Sequence, residues 1–597
     1  MEIVALYINE FNGVIDSFIN VNSSFTCSYN EKLLRITSSV NRSSYYDKIP
    51  STLLIGQNGC GKTTILTFIE DFYYDNENSG FIVWYDDESI IVTCKGISPS
   101  QITSDIKYSC IHTNAQDFSN LHIYTIKSNN TVDFNSYLFG KRKSTARNFI
   151  DISLNSIGKR NANKKNEVDK ILKYIKQKKP LPDTLANREL SISAKLTFGT
   201  GDTSKKILKN LNFKEKYEEE LSVFFTSQIN NYRGNYIISP VHPEFQISLD
   251  YPFVNRSHLN SYIKSKKEKW GVSFYPFIFS KLPHKNNRLN IHEVNFYSIL
   301  SVLYSFTRKL KVDRNTSDLL FLKLIVVAYF SSQTNLISRI EFFMKDSFPR
   351  AMDDNNLIME MINLDKNIDK ISKIAYCCFK YSKKTTSEGN TVNYFIDESN
   401  TVPELIEMSN QLPKELDSIF NVEWDGLSSG EVSLLHILSS ISYAIESVKL
   451  KNGTKSILLL LDEIDLYLHP EWQRTILSTL LNLIKSINNN VKVQIIMSSH
   501  SPIIASDFLS VDIVTLLRST KKKSNTGTLE GVVYGESIDK MMSQGFFLKS
   551  TVGDRVLTTI DFLIKNRDNK KILEENEYIT SLIKNKMLLH VLGIKND

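Results

Sequence analysis

STLLIGQNGCGKTTILTFIEDFY, Ser51 to Tyr73, passes from an apolar run through a glycine-rich turn into a helical pattern. Its centre, Gly56, Gln57, Asn58, Gly59, Cys60, Gly61, Lys62 and Thr63, fits the spacing GxxxxGK followed by Ser or Thr. A strand before that spacing and a helix after it are the setting that a phosphate-binding loop needs. The glycines let backbone N–H groups curl around a phosphate chain, and the helix N-terminus adds partial positive charge. Lys62 is placed to reach the β- and γ-phosphates of a nucleotide such as ATP, Thr63 to ligate Mg²⁺ and Thr64 to touch the α-phosphate.

Two more apolar runs end in groups with chemistry. SILLLLDEID, Ser456 to Asp465, reads as a buried parallel strand closing on Asp462 and Glu463. Ligand chemistry in α/β sheets gathers at such strand ends, so Asp462 is expected to hold Mg²⁺ through water and Glu463 to act as general base. Acids also end strands simply to cap the next helix. VKVQIIMSSH, Val491 to His500, is a second such strand. If it neighbours the first, His500 lies beside the γ-phosphate; a strand-end histidine otherwise reads as a surface residue.

LSSGE, Leu427 to Glu431, opens a helix upstream of these strands. In their order along the chain, the phosphate loop, LSSGE, the Asp462–Glu463 pair and His500 resemble the motif set of the ABC-type ATPases. The resemblance implies an α/β fold: an ABC-type P-loop ATPase head with a mixed-sheet lobe and a parallel α/β core, split by a large, mostly helical insertion. It implies ATP and Mg²⁺ as cofactors, with Lys62, Glu463 and His500 catalytic, and Thr63 and Asp462 on the metal. It also implies a head-to-tail homodimer in which Ser428, Ser429 and Gly430 of one copy press on the γ-phosphate held by the other. Val432, Leu435 and Leu438 then anchor the helix in its own lobe.

Lys62 and Leu427 are 365 positions apart, a separation that, with DEID in place of DEPT, resembles the SMC, RecF and OLD branch rather than transporter subunits. DEIDLYLHPEWQ, SSHSP and ESIDKMMSQGFFLKSTVG are similar to stand-alone bacterial AAA family ATPases of antiphage systems, including Septu- or retron-associated ATPases. That resemblance covers the N-terminal lobe and residues 390–553. Where transporter-type proteins end the loop after the Asp–Glu pair in Asp, this chain has His469. A glutamine expected to end a first-lobe strand has Gln116 as one candidate. Only 97 residues follow His500, too few for an OLD-type nuclease domain, so nuclease or toxin activity is expected on a separate partner protein. Rival readings are a RecF- or SMC-like DNA repair ATPase, a transporter ATPase subunit and a nucleotide sensor without turnover.

Composition shifts divide the chain into an N-terminal lobe (1–139), an inserted basic, mostly helical region (140–389), a C-terminal lobe (390–553) and a helical tail (554–597). Residues 141–216 carry 20 Lys and Arg against 7 Asp and Glu, although the whole chain has a net charge of only +7. DNA or RNA backbone binding is one reading of this excess, and a solvated lysine-rich surface is the other. Helices are expected over 292–311, 318–345 and 357–380. LLFLKLIVVAYF, Leu319 to Phe330, contains Lys323 and is shorter than the roughly 20 residues of a membrane crossing. It reads as a buried helix, and no membrane association is expected. Six cysteines without metal-ligand spacing and an N-terminus without a leader pattern point to a cytoplasmic protein.

Overall fold

The computed structural model describes residues 1–129 and 148–197 apart from 23, 39–43, 58, 75–78, 87–88, 99–101, 105–106, 113–119, 155–160 and 187–190. It also describes 220–221, 223–224, 227–228, 291–517 apart from 311, 330, 332–334, 348–354, 389–390, 397–400, 452 and 488–490, and finally 525–528, 538, 542 and 553–581. The chain divides into two units, Met1–Asn155 with Ala444–Asp597, and Ser156–Tyr443. The sequence reading drew its boundaries at 139/140 and 389/390.

The first unit begins with β1 (Glu2–Phe11), β2 (Val14–Asn20), β3 (Phe25–Asn30) and β4 (Leu33–Ser38). β3 and β4 form an antiparallel hairpin whose two turn residues, Glu31 and Lys32, both have positive φ (50° and 69°). Two successive positive φ values are the signature of a turn that matches strand twist. FTCSYNEKLLRI reads as one alternating run because neither residue is the usual Asn or Gly. Next come β5 (Ser51–Gly56), α1 (Lys62–Asp71), β6 (Ser79–Asp86), β7 (Ser89–Lys95), β8 (Thr103–Ser104), β9 (Tyr108–His112), β10 (Ile123–Asn129) and β11 (Phe149–Asp151).

The second unit contains α2 (Asn161–Lys176), β12 (Ser191–Thr197), α3 (Ile291–Lys309), α4 (Arg314–Tyr329), α5 (Leu336–Ser347) and α6 (Asn355–Lys380). After these come β13 (Ser382–Glu388), β14 (Thr391–Ile396), α7 (Thr401–Asn410), β15 (Phe420–Asp425) and α8 (Ser429–Lys449), whose last turns belong to the first unit. β15 pairs antiparallel with β12, which draws residues 420–425 into the four-stranded sheet β13-β14-β12-β15. The expected helix over 318–345 is two helices, α4 and α5. At the end of α4 the Ser331 hydroxyl donates to the Val327 carbonyl, a side-chain-to-backbone bond that competes with helix continuation. α4 is the expected buried helix: Leu320, Phe321, Leu324 and Val326 are fully shielded. Lys323 reaches out to Glu220 at 2.5 Å, so its stem lies along apolar surface while its charge stays paired. Among the described residues no helix is long and apolar enough to cross a membrane.

The first unit resumes with β16 (Ser456–Asp462), α9 (Pro470–Ile487), β17 (Lys492–Ser498), α10 (Pro502–Ala505), β18 (Ile513–Leu517), β19 (Asn525–Thr528) and α11 (Asp554–Lys565). Its main sheet runs β11-β10-β16-β17-β5-β18-β19, and every pairing is parallel except that of β19. β16 is buried along its whole length, as a central parallel strand covered on both faces must be. Ile65, Phe68 and Ile69 of α1, with Phe72 just after it, share one core cluster with Leu6 and Ile8 of β1 and with Leu54 and Leu460 of the parallel sheet. Buried Gln494 of β17 bonds both backbone groups of Ile3, accepting from its N–H at 2.7 Å and donating to its carbonyl at 2.8 Å. The amide thus stands in for a neighbouring strand and ties β1 to β17. Parallel pairing sends Gly56, Asn129, Asp462 and Ser498, the last residues of four adjacent strands, to one edge of the sheet.

Candidate nucleotide site

The loop from Gly56 to Gly61 is built from conformations that side chains resist. Gly56, Gly59 and Gly61 have φ of 147°, 76° and 104°, and Gly61 caps α1. A Cβ on Gly56 would stand 2.3 Å from the Leu516 carbonyl oxygen and 2.8 Å from Cys60 Sγ. The clash is with backbone of the neighbouring strand, so Gly56→Ala is expected to cost about 1–3 kcal/mol. It should lower the thermal midpoint and weaken ATP binding together. Wild-type values for both would mean that the loop does not need this close approach.

Lys62 is buried, and its Nζ donates to the carbonyls of Gly56 (2.9 Å) and Gln57 (3.2 Å). Burial pushes its ammonium below the usual range, offset in part by Cys60, Glu463, Asp462 and Asp465. The amine is therefore held in the mouth of its own loop by groups that an anionic ligand can replace. Cys60 is buried, Gln57, Gly59 and Thr63 are exposed, and Thr64 is half-buried on α1. Asn58 and Gln116 lie outside the described residues.

Thr63 Oγ1 donates to Asp462 Oδ1 at 3.3 Å, although the two residues lie 399 positions apart. Asp462 is 1% exposed. Its Oδ1 also accepts from Ser498 Oγ at 2.5 Å and its Oδ2 from Asn129 Nδ2 at 3.1 Å. The same Ser498 hydroxyl accepts the Glu463 N–H at 3.0 Å, so one side chain on β17 orients both acids of β16. Glu463 leaves the strand with φ of 49°, a left-handed turn that a non-glycine residue adopts only where its surroundings enforce it. Burial, then the charges of Asp462 and Asp465, raise its carboxyl above the ordinary range. A carboxylate shifted upward is a stronger base near neutral pH.

β17 does neighbour β16, and His500 follows it by two residues at the same edge. Burial and the nearby Lys62 lower the imidazole's pKa, opposed by Asp465 and Asp462. The loops after β16 and β17 are joined by Gln473 of α9. Its Nε2 donates to the carbonyls of Leu468 (2.9 Å) and Asp465 (3.3 Å), and its Oε1 accepts from Ser501 Oγ at 2.7 Å. His469 accepts the Glu471 N–H on Nδ1 at 3.3 Å, placing it at the start of α9 as a cap.

The phosphate loop, Thr63, Asp462, Glu463 and His500 thus converge within the first unit. Ser428, Ser429 and Gly430 belong to the second. There Ser428 and Glu431 form a reciprocal cap: the Ser428 N–H donates to Glu431 Oε2 at 2.7 Å and the Glu431 N–H to Ser428 Oγ at 3.3 Å. Ser429 is exposed and Gly430 buried. On the same helix Leu435 and Leu438 are buried, and Val432 is half-buried.

Sequence reasoning missed Asn129, Asp465, Gln473 and Ser498. Asn129 and Ser498 carried a faint signal as polar residues closing apolar strands. Their significance depends on which strands are neighbours.

A strand, a glycine loop, a helix carrying Lys62 and Thr63, and two acids closing an adjacent parallel strand system define a P-loop ATPase. The chain belongs to the AAA ATPase domain family, whose model matches residues 1–505. It is also similar to the Retron Vc95 probable ATPase of Vibrio cholerae serotype O1 biovar El Tor, 38% identical over 99 residues, which are 16% of this chain and 17% of that protein. The Retron Ec83 probable ATPase of Escherichia coli is 34% identical over 106 residues, 17% of this chain and 18% of that protein. The similarity spans less than a fifth of the length of either curated relative.

Proposed function

We propose that this chain hydrolyses Mg²⁺-ATP at the first-unit edge, and that ATP joins two copies head to tail to control a separate effector in antiphage defence. The observation that carries the catalytic part is the Thr63–Asp462–Ser498–Glu463 chain of contacts beside the phosphate loop. A hydroxyl and a carboxylate are hard oxygen donors suited to Mg²⁺, which usually keeps several waters and takes few protein ligands. Thr63 and Asp462 would hold the ion, which would supply positive charge to offset the charge developing on the phosphates. Backbone N–H groups of the loop hold the phosphates, and Lys62 exchanges the Gly56 and Gln57 carbonyls for phosphate oxygens. Glu463 accepts the proton of the attacking water. His500 donates an N–H to the γ-phosphate.

The dimer rests on the helix that Ser428 opens. Its hydroxyl is engaged by its own helix cap, so exposed Ser429 and the N–H groups of Ser429 and Gly430 are what a second copy's γ-phosphate would meet. Ser429→Arg should leave the ATP dissociation constant within about twofold while weakening ATP-dependent dimerisation about tenfold or more, since each tenfold is about 1.4 kcal/mol. Analytical ultracentrifugation with and without ATP measures this, and unchanged dimerisation would overturn the arrangement.

The similarity to two retron probable ATPases supports the defence role. In the described part of the basic segment, ion pairs lessen the positive charge open to a nucleic-acid backbone. Lys165, Lys170 and Lys173 of α2 are paired with Asp417, Glu167 and Asp169. The test is ATP turnover by the full chain with DNA, with RNA and with the product of a neighbouring nuclease or toxin gene. Stimulation by DNA alone would favour a RecF- or SMC-like repair role.

A further inference from the structure

Asp465, three residues past Asp462, has no role in the steps above, yet it is nine-tenths buried and its Oδ1 has no hydrogen-bond partner among the described residues. A buried carboxylate oxygen left without a donor is costly and calls for a partner that arrives later. At the same edge, the ring nitrogens of the His500 imidazole make no hydrogen bond to any described residue. Asp465 and His500 lie on the loops leaving β16 and β17, and Gln473 clamps those loops at the Asp465 carbonyl on one side and Ser501 on the other. Their spacing is therefore fixed by a third residue. Among the groups acting on the imidazole, Asp465 is the stronger of the two carboxylates that favour its charged form.

We infer that Asp465 is the positioning residue for His500: its unfilled oxygen accepts one N–H of the imidazolium, which turns the other N–H toward the γ-phosphate. The two anions together favour the protonated ring. Which nitrogen of a histidine faces a substrate is set by the bond the other one makes, and catalytic hydrogen bonds are commonly long or open until the ligand is present. The carboxylate neither touches substrate nor takes the water's proton. It keeps the imidazole from rotating away, so its removal should lower turnover without weakening ATP binding.

This inference rests on the ATPase reading, and a double-mutant cycle separates the two. Turnover and KM for ATP are measured for the full chain as wild type, Asp465→Asn, Asp465→Glu, His500→Ala and the Asp465→Asn/His500→Ala pair. Each kcat is scaled to the fraction of protein that binds ATP, so unfolded material does not count. Asp465→Asn should lower kcat about tenfold or more with KM within about twofold. Asp465→Glu should recover part of the loss, and in the His500→Ala background Asp465→Asn should change kcat less than about twofold. Wild-type kcat in Asp465→Asn would overturn the inference. So would losses that multiply in the double variant, because Asp465 would then act independently of His500. If Lys62→Ala and Glu463→Gln retain turnover, the ATPase reading itself fails.

Discussion

The Glu463→Gln protein is expected to bind ATP with wild-type affinity and to hydrolyse it roughly 10²- to 10⁴-fold more slowly, the contribution typical of a positioned general base. The change is nearly isosteric and leaves the contacts that fix the backbone in place, since the Glu463 N–H still meets Ser498 Oγ. Asp462, whose oxygens meet Thr63, Ser498 and Asn129, is untouched. A carboxamide cannot accept the water's proton, so binding survives and the chemical step does not. Single-turnover hydrolysis separates the two. With hydrolysis blocked, the ATP-bound dimer should also accumulate and be visible by ultracentrifugation. Turnover at the wild-type rate would place the base on another residue.

Lys62→Ala should act on the other half of the cycle, raising the ATP dissociation constant by about 10²-fold or more. Hydrogen bonds from a charged group contribute about 1.5–3 kcal/mol each, and an ammonium reaching two phosphates makes at least two. Without nucleotide, Lys62 Nζ spends those bonds on the Gly56 and Gln57 carbonyls. Removing it takes one donor from the carbonyls of buried Gly56 and exposed Gln57, so some stability should be lost while the fold survives. Calorimetric titration with ATP, alongside the thermal midpoint, measures both. Tight ATP binding by a folded Lys62→Ala protein would mean that the loop holds phosphate by its backbone alone. Taken as a pair, one variant loses chemistry and keeps affinity, while the other loses affinity.

Much of the site was legible because its parts are local. A phosphate loop is a continuous stretch whose glycines, lysine and threonine lie within eight positions, Gly56 to Thr63. An apolar strand closing on two acids is also a local pattern, and β16 is the fully buried strand this pattern implied. The limits were local too. The hairpin turn at Glu31–Lys32 went unread because its φ values come from neighbouring pairing rather than residue type. The single helix read over 318–345 did not anticipate the break between α4 and α5, where the Ser331 hydroxyl bonds the Val327 carbonyl.

By itself, the sequence determined that the chain carries a phosphate loop, an Asp–Glu strand end and a strand-end histidine, because short-range sterics and burial patterns encode each of them. Only the tertiary structure decided that these meet. The order β10-β16-β17-β5 places Asn129, Ser498 and the phosphate loop around Asp462, and Gln473 fixes the loops of Asp465 and His500. Parallel strands are joined by long crossovers, so which strands become neighbours is settled by packing between segments hundreds of residues apart, and no local pattern contains it.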